Sequence, residues 1–215
     1  MSTHNRWNDE YWLLLMQLYL KKPTGLKPLY SRGLVNLSME LHIPPQFLHS
    51  QMFRLRSLDT PRLERLWAEY SKNPRKLSRV IKLLRQRPDL NANAGFFKDV
   101  AVNETFEKDF RPLACDKDLT PVILIMVLNL YFQLTPITMA EETPEVKSLA
   151  RLIKIPAKKI VHIMNVYKMC DPYLKVLPDA NEPLISDCES IWNRYNSENT
   201  EQLSSLALQL KSYFK

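Results

Sequence analysis

Glycine is scarce in this chain: 3 residues in 215, against 15 prolines. Hairpins and tight sheet turns need glycine for positive φ, whereas proline suits the first turn of a helix. The imbalance points to an all-α protein and leaves no room for a glycine-rich phosphate loop or a dinucleotide fingerprint. Cysteine is scarce too. Cys115, Cys170 and Cys188 are odd in number and form no CxxC pair, which speaks against a disulfide framework or a zinc knuckle. The 4 histidines, His4, His42, His49 and His162, lack acidic or thiol partners at metal-ligand spacing, so neither a metal nor a cofactor is expected. No catalytic constellation emerges, and the chain is not expected to be an enzyme.

Long apolar runs are also missing. The most apolar stretch, 122–132, contains Asn129 and falls well short of the roughly 20 residues that span a bilayer. It is expected to be a buried helix in a protein without a membrane span. The amino terminus lacks the positive-then-apolar order of a signal peptide, and reduced thiols fit a cytoplasmic location.

Apolar surface and positive charge are abundant. Hydrophobic residues make up 45% of the chain, enough to bury a core, and the formal net charge is +7 with a pI near 9.3. The charge is unevenly spread: residues 1–100 carry 17 Lys/Arg and 8 Asp/Glu, whereas residues 101–215 carry 13 and 15. An anionic partner is therefore expected for the first half.

Self-comparison adds organisation. A shift of 112 residues places Leu18-Tyr19 on Leu130-Tyr131, Leu37 on Leu149, Ile43-Pro44 on Ile155-Pro156, Met52 on Met164 and Asp59 on Asp171. Leu34/Val146, Leu41/Ile153 and Leu48/Ile160 also coincide as apolar pairs. Beyond an insertion around 173–185, Trp67-x-x-Tyr70 falls on Trp192-x-x-Tyr195 and Leu77 on Leu203. A duplicated unit must bury equivalent positions, so it keeps its apolar pattern when identities fade, and loops absorb insertions. The expected organisation is a basic first helical repeat over 1–88, a connector over 89–118 packed between repeats, and a second helical repeat over 119–215. In the connector, Phe96, Phe97, Phe106 and Phe110 are expected to pin the chain, with a short helix near 96–100.

Thr60-Pro61, Asn73-Pro74, Thr120-Pro121 and Thr143-Pro144 pair a capping residue with a proline at the first helical position. These and the apolar spacing predict helices near 8–21, 33–41, 45–57, 61–71 and 74–86, repeated near 121–133, 144–153, 157–169, 183–195 and 200–213. The expected fold class is all-α, with two tandem helix-turn-helix-like bundles of about five helices each.

The helix-turn-helix pattern lies in Leu149-Ala150-Arg151-Leu152-Ile153-Lys154-Ile155-Pro156, followed by Ile160, Met164 and Tyr167. It describes a short helix, a tight turn and a second helix, with the small Ala150 letting the helices cross closely. The first copy offers Leu37, Ser38, Leu41, Ile43, Leu48 and Met52. The turn position that usually holds a left-handed glycine is His42 in one copy and Lys154 in the other.

Residues Leu128 to Phe132, Thr143 to Val146, Leu149 to Ile153 and Asp171-Pro172 together resemble the helical N-terminal segment of HNH-type restriction endonucleases. The likeness extends more weakly to the first copy. It implies a helical element that helps to engage DNA. The chemistry of that family does not follow, because an HNH centre needs two histidines and an asparagine on a ββα unit. After His162 the chain has no histidine.

Between Arg54 and Arg87 lie 11 Lys/Arg against Asp59, Glu64 and Glu69. Such a cluster suits phosphate, and Arg56, Arg75, Lys76, Arg79 and Lys82 are its candidate contacts. On the second helix of each pair, Gln46, His49 and Arg54, and then Lys158, Lys159, His162 and Asn165, are candidates for base or phosphate contact. The expected function is non-enzymatic DNA binding, with transcriptional regulation as one form it could take. The rival readings are a helical protein–protein adaptor and an accessory subunit of a separately encoded nuclease.

Overall fold

The computed structural model describes residues 7–86, 105–174, 176, 182–195 and 200–215. Among these residues all regular structure is helical. The chain divides into two compact units, Met1–Glu104 and Thr105–Lys215. The first contains α1 (Tyr11–Leu20), α2 (Arg32–Leu41), α3 (Pro45–Ser57), α4 (Pro61–Tyr70) and α5 (Pro74–Arg85). The second contains α6 (Thr105–Asp109), α7 (Pro121–Gln133), a 3-10 turn (Pro136–Thr138), α8 (Pro144–Ile153), α9 (Ala157–Cys170), α10 (Ile185–Arg194) and α11 (Thr200–Phe214). No described helix is long and apolar enough to cross a membrane.

Every helix expected from caps and apolar spacing is present, except the short one near 96–100, which lies outside the described residues. The short α6 and the 3-10 turn were not anticipated. Residues 105–118, part of the expected connector, belong to the second unit, where Phe110 is buried 5.0 Å from the ring of Tyr213. Capping is less uniform than the sequence suggests. Thr60 accepts a hydrogen bond from the Leu63 amide at 3.4 Å, but Asn73, Thr120 and Thr143 make no cap bond. Proline at the first helical position holds φ at those starts without one.

In the first unit α1 packs against α2, α3 and α5, burying Leu14, Leu15 and Met16. In the second, α7 is the central rod, with nine buried residues and α6, α8, α9, α10 and α11 around it. It is enclosed on nearly every side, which explains why the 122–132 run lacks a polar face. Tyr167 on α9 is wholly buried there and donates its hydroxyl hydrogen bond to the Leu124 carbonyl at 3.0 Å.

Two turns have the same construction. Pro44 disfavours helix at Ile43, and Pro156 does so at Ile155, so α2 and α8 must stop. The reversal is taken up by His42 (φ 53, ψ 39) and Lys154 (φ 62, ψ 38), both left-handed. The Ser38 carbonyl accepts from the amides of His42 and Ile43, and the Ala150 carbonyl accepts from those of Lys154 and Ile155. After each turn Leu48 or Ile160, then Met52 or Met164, are fully buried. The turns differ inside: Ser38 is buried and its hydroxyl donates to the Ile43 carbonyl, whereas Ala150 and Ile155 are half-buried.

Two stability predictions follow from these turns. Ser38→Ala leaves the Ile43 carbonyl without its hydroxyl donor and is predicted to cost about 1–2 kcal/mol in urea unfolding; an unchanged midpoint contradicts that role. Lys154→Gly removes a left-handed strain of about 1–2 kcal/mol but adds glycine's unfolded-state entropy. A net gain of about 0.5–1 kcal/mol is predicted, and a loss would show that the Lys154 side chain contributes more than its backbone costs.

Candidate nucleic-acid interface

Helix α5 begins at Pro74 and buries Leu77, Ile81 and Leu84 against the first unit's core. Spacing of 3.6 residues per turn then fixes what the opposite side carries. Arg75, Arg79 and Lys82, at positions i, i+4 and i+7, form one exposed stripe directly away from the core. Lys72, exposed in the turn before α5, extends the same spacing by another step. None of these four cations has an acidic partner within ion-pair distance, nor do Arg56 at the end of α3 and Arg65 on α4, among the described residues.

The other basic residues of the segment are engaged internally. Arg54 pairs with Asp59 at 2.6 Å, donates to Gln51 at 3.2 Å and lies over the Trp12 ring at 5.7 Å. Arg62 pairs with Asp9. Lys76 pairs with Glu69 at 2.8 Å and lies 5.3 Å from the Tyr70 ring centre; its hydrogen bond to Glu69 holds its pKa above the usual lysine value. Arg85 grips both oxygens of Glu40 at 2.6 and 3.0 Å. Arg87 lies outside the described residues.

The candidates on α3 are partly committed as well. Gln46 is exposed but donates to the Tyr30 hydroxyl at 2.7 Å. His49 meets Phe53 edge to face at 5.1 Å, and Phe53 is itself half exposed. In the second unit Lys158 is exposed and free of ion pairs among the described residues, whereas Lys159 contacts Asp116 at 2.6 Å and Asp118 at 3.4 Å. Burial lowers the Lys159 pKa, but the two aspartates outweigh burial and raise it overall. His162 Nε2 lies 3.4 Å from Glu182, and the Asn165 side-chain oxygen accepts from Lys168 at 3.0 Å.

Of the residues singled out from sequence, Arg75, Arg79 and Lys82 therefore form one open patch, while Arg54, Lys76 and Lys159 are tied to acids. Lys72 and Arg65 were counted in the basic cluster but not singled out. Carrying the i, i+3, i+7 spacing back through the turn finds Lys72; nothing local marks Arg65. Sequence reading also missed the bidentate Arg194–Asp109 pair, 2.8 Å on both arms, which ties α10 to α6 across 85 residues.

The remaining reactive groups offer little chemistry. Burial pushes the Cys170 thiol up to about 11 and Cys188 higher still, while burial and then the Asp187 hydrogen bond raise Cys115. All three are protonated thiols at neutral pH and poor nucleophiles. Among the described residues no group of three or more His, Cys, Asp or Glu could hold a metal ion. Comparison with family models, curated proteins and solved structures gives no match.

Proposed function

We propose that the chain is a non-enzymatic DNA-binding protein built from two copies of a helix-turn-helix-like unit, the first copy supplying most of the affinity. The observation that carries this reading is the α5 stripe of Lys72, Arg75, Arg79 and Lys82, exposed and without ion pairs among the described residues. A protein surface normally intersperses both signs, and a basic helix face meant only for solubility tends to acquire acids one turn away. Here the acids Asp59, Glu69 and Glu40 are spent on Arg54, Lys76 and Arg85. The six remaining cations suit a row of phosphates, whose condensed counterions they would release. Arginine fits phosphate bidentately, and four of the six are arginine.

The paired left-handed turns support the helix-turn-helix part of the reading. In that motif the second helix enters the major groove and the first crosses the backbone. On this reading Gln46, His49 and Ser50 on α3 contact base edges, His162 and Asn165 do the same on α9, and Lys158 contacts phosphate. The second unit is the weaker partner because Lys159 is already neutralised by two aspartates. The likeness to the helical segment of HNH-type endonucleases agrees with DNA engagement without cleavage.

Six phosphate contacts predict a slope of log affinity against log salt near about −5. Replacing Arg75, Arg79 and Lys82 by Gln is predicted to flatten the slope to about −3 and to weaken binding to all duplex sequences alike. Fluorescence anisotropy with labelled duplexes from 50 to about 200 mM salt reads both. An unchanged slope in the triple variant, or no detectable binding at 50 mM salt, contradicts the reading.

A further inference from the structure

Each unit carries a groove open to solvent, and the two are built from corresponding helices. The first lies between α1, α2 and α5 and encloses about 520 Å³; the second lies between α7, α8 and α11 and encloses about 590 Å³. Leu18 and Leu37 line the first, Leu130 and Leu149 the second, each pair offset by 112 residues. Arg85 and Lys211 also correspond, in the register that aligns Leu77 with Leu203.

The grooves differ at one charged position, while Lys21 in the first also lacks an ion-pair partner among the described residues. In the first, Arg85 on α5 is held by Glu40 on α2, an ion pair that bridges the two walls from within the chain. In the second, the position of Glu40 is occupied by Leu152, and Lys211 has no ion-pair partner among the described residues. Among the described residues the only acid lining this groove is Glu145, two turns before Leu152 on α8 and thus roughly 10 Å along the helix axis. Glu145 likewise has no ion-pair partner among the described residues. The groove wall thus carries one cation and one anion that do not pair with each other. Its floor is apolar, formed by Leu130, Leu149, Leu152 and Ala207.

Asn129 and Gln133, one turn apart on α7, line the same groove, and neither side chain makes a hydrogen bond among the described residues. A carboxamide offers both a donor and an acceptor, the combination that a peptide backbone needs. We propose that the second unit's groove holds a short peptide segment of a partner protein. The segment seats an apolar side chain on the Leu149/Leu152 floor, presents a carboxylate to Lys211 and a basic group to Glu145, and lays its backbone on Asn129 and Gln133. The partner's acid takes the part that Glu40 plays inside the first unit. This docking site is separate from the α5 stripe and does not depend on DNA binding.

Display of random 12-residue peptides on the nuclease-treated full chain tests the proposal. The expected selection is peptides with an apolar residue flanked by Asp or Glu on one side and Lys or Arg on the other. Lys211→Glu is expected to turn the acidic preference into a basic one. Leu152→Glu supplies the internal acid found in the first unit and should weaken the selected peptides about tenfold, equivalent to about 1.4 kcal/mol. Neither change should alter the salt slope for duplex DNA, so failure here is distinguishable from failure of the DNA reading. The proposal is overturned if selection shows no acidic preference or is indifferent to both substitutions. It is equally overturned if the chain dimerises in sedimentation and Leu152→Glu abolishes the dimer, because the groove then belongs to a second copy.

Discussion

Two left-handed residues hold the helix pairs together. A helix that meets an Ile-Pro step cannot continue, and a chain that must double back within three residues needs positive φ at one of them. His42 and Lys154 accept that conformation although neither is glycine. The cost is offset locally, since one carbonyl takes two amides in each turn and Leu48 or Ile160 becomes fully buried just beyond it. The placement of α3 on α2, and of α9 on α8, depends on this turn. In the first unit α1 packs on both members of the pair, and in the second α7 does the same.

The same economy governs charge in the first unit. Three of its acids tie elements together: Asp9 to α4, Glu40 between α2 and α5, Asp59 back to α3. These pairs are partly exposed, so each contributes only a modest amount to stability. Their larger effect is on what they leave over. The outer side of α5 keeps a row of cations whose mutual repulsion is met by no ion pair among the described residues. A polyanion would relieve it, and this is the physical basis of the DNA reading. The second unit spends its charges differently, closing Lys159 with two aspartates and leaving Lys211 and Glu145 apart in an apolar groove.

The helices were legible in the sequence because their determinants are local: prolines at first positions, apolar residues every three or four, and Ile-Pro steps that stop a helix. The positive φ at His42 and Lys154 was legible for the same reason, as the place where a glycine would ordinarily stand. The ion pairs were not. Arg85 meets Glu40 across 45 residues and Arg194 meets Asp109 across 85, and nothing in either neighbourhood announces its partner. A count of basic residues therefore overstated the open patch, including Arg54 and Lys76, which the fold consumes. Lys72 was part of that count but not singled out as a contact, although the helical spacing brings it into line. The two grooves were invisible for a related reason, since each joins three helices that are distant in sequence.

The central claim is that the outer side of α5 meets DNA, and amide hydrogen exchange of the full chain with and without a duplex at 50 mM salt tests it most directly. Slowed exchange centred on residues 72–82, with weaker effects on α3 and little on α11, is the predicted result. Protection confined to the second unit, or none despite measurable binding, would contradict it.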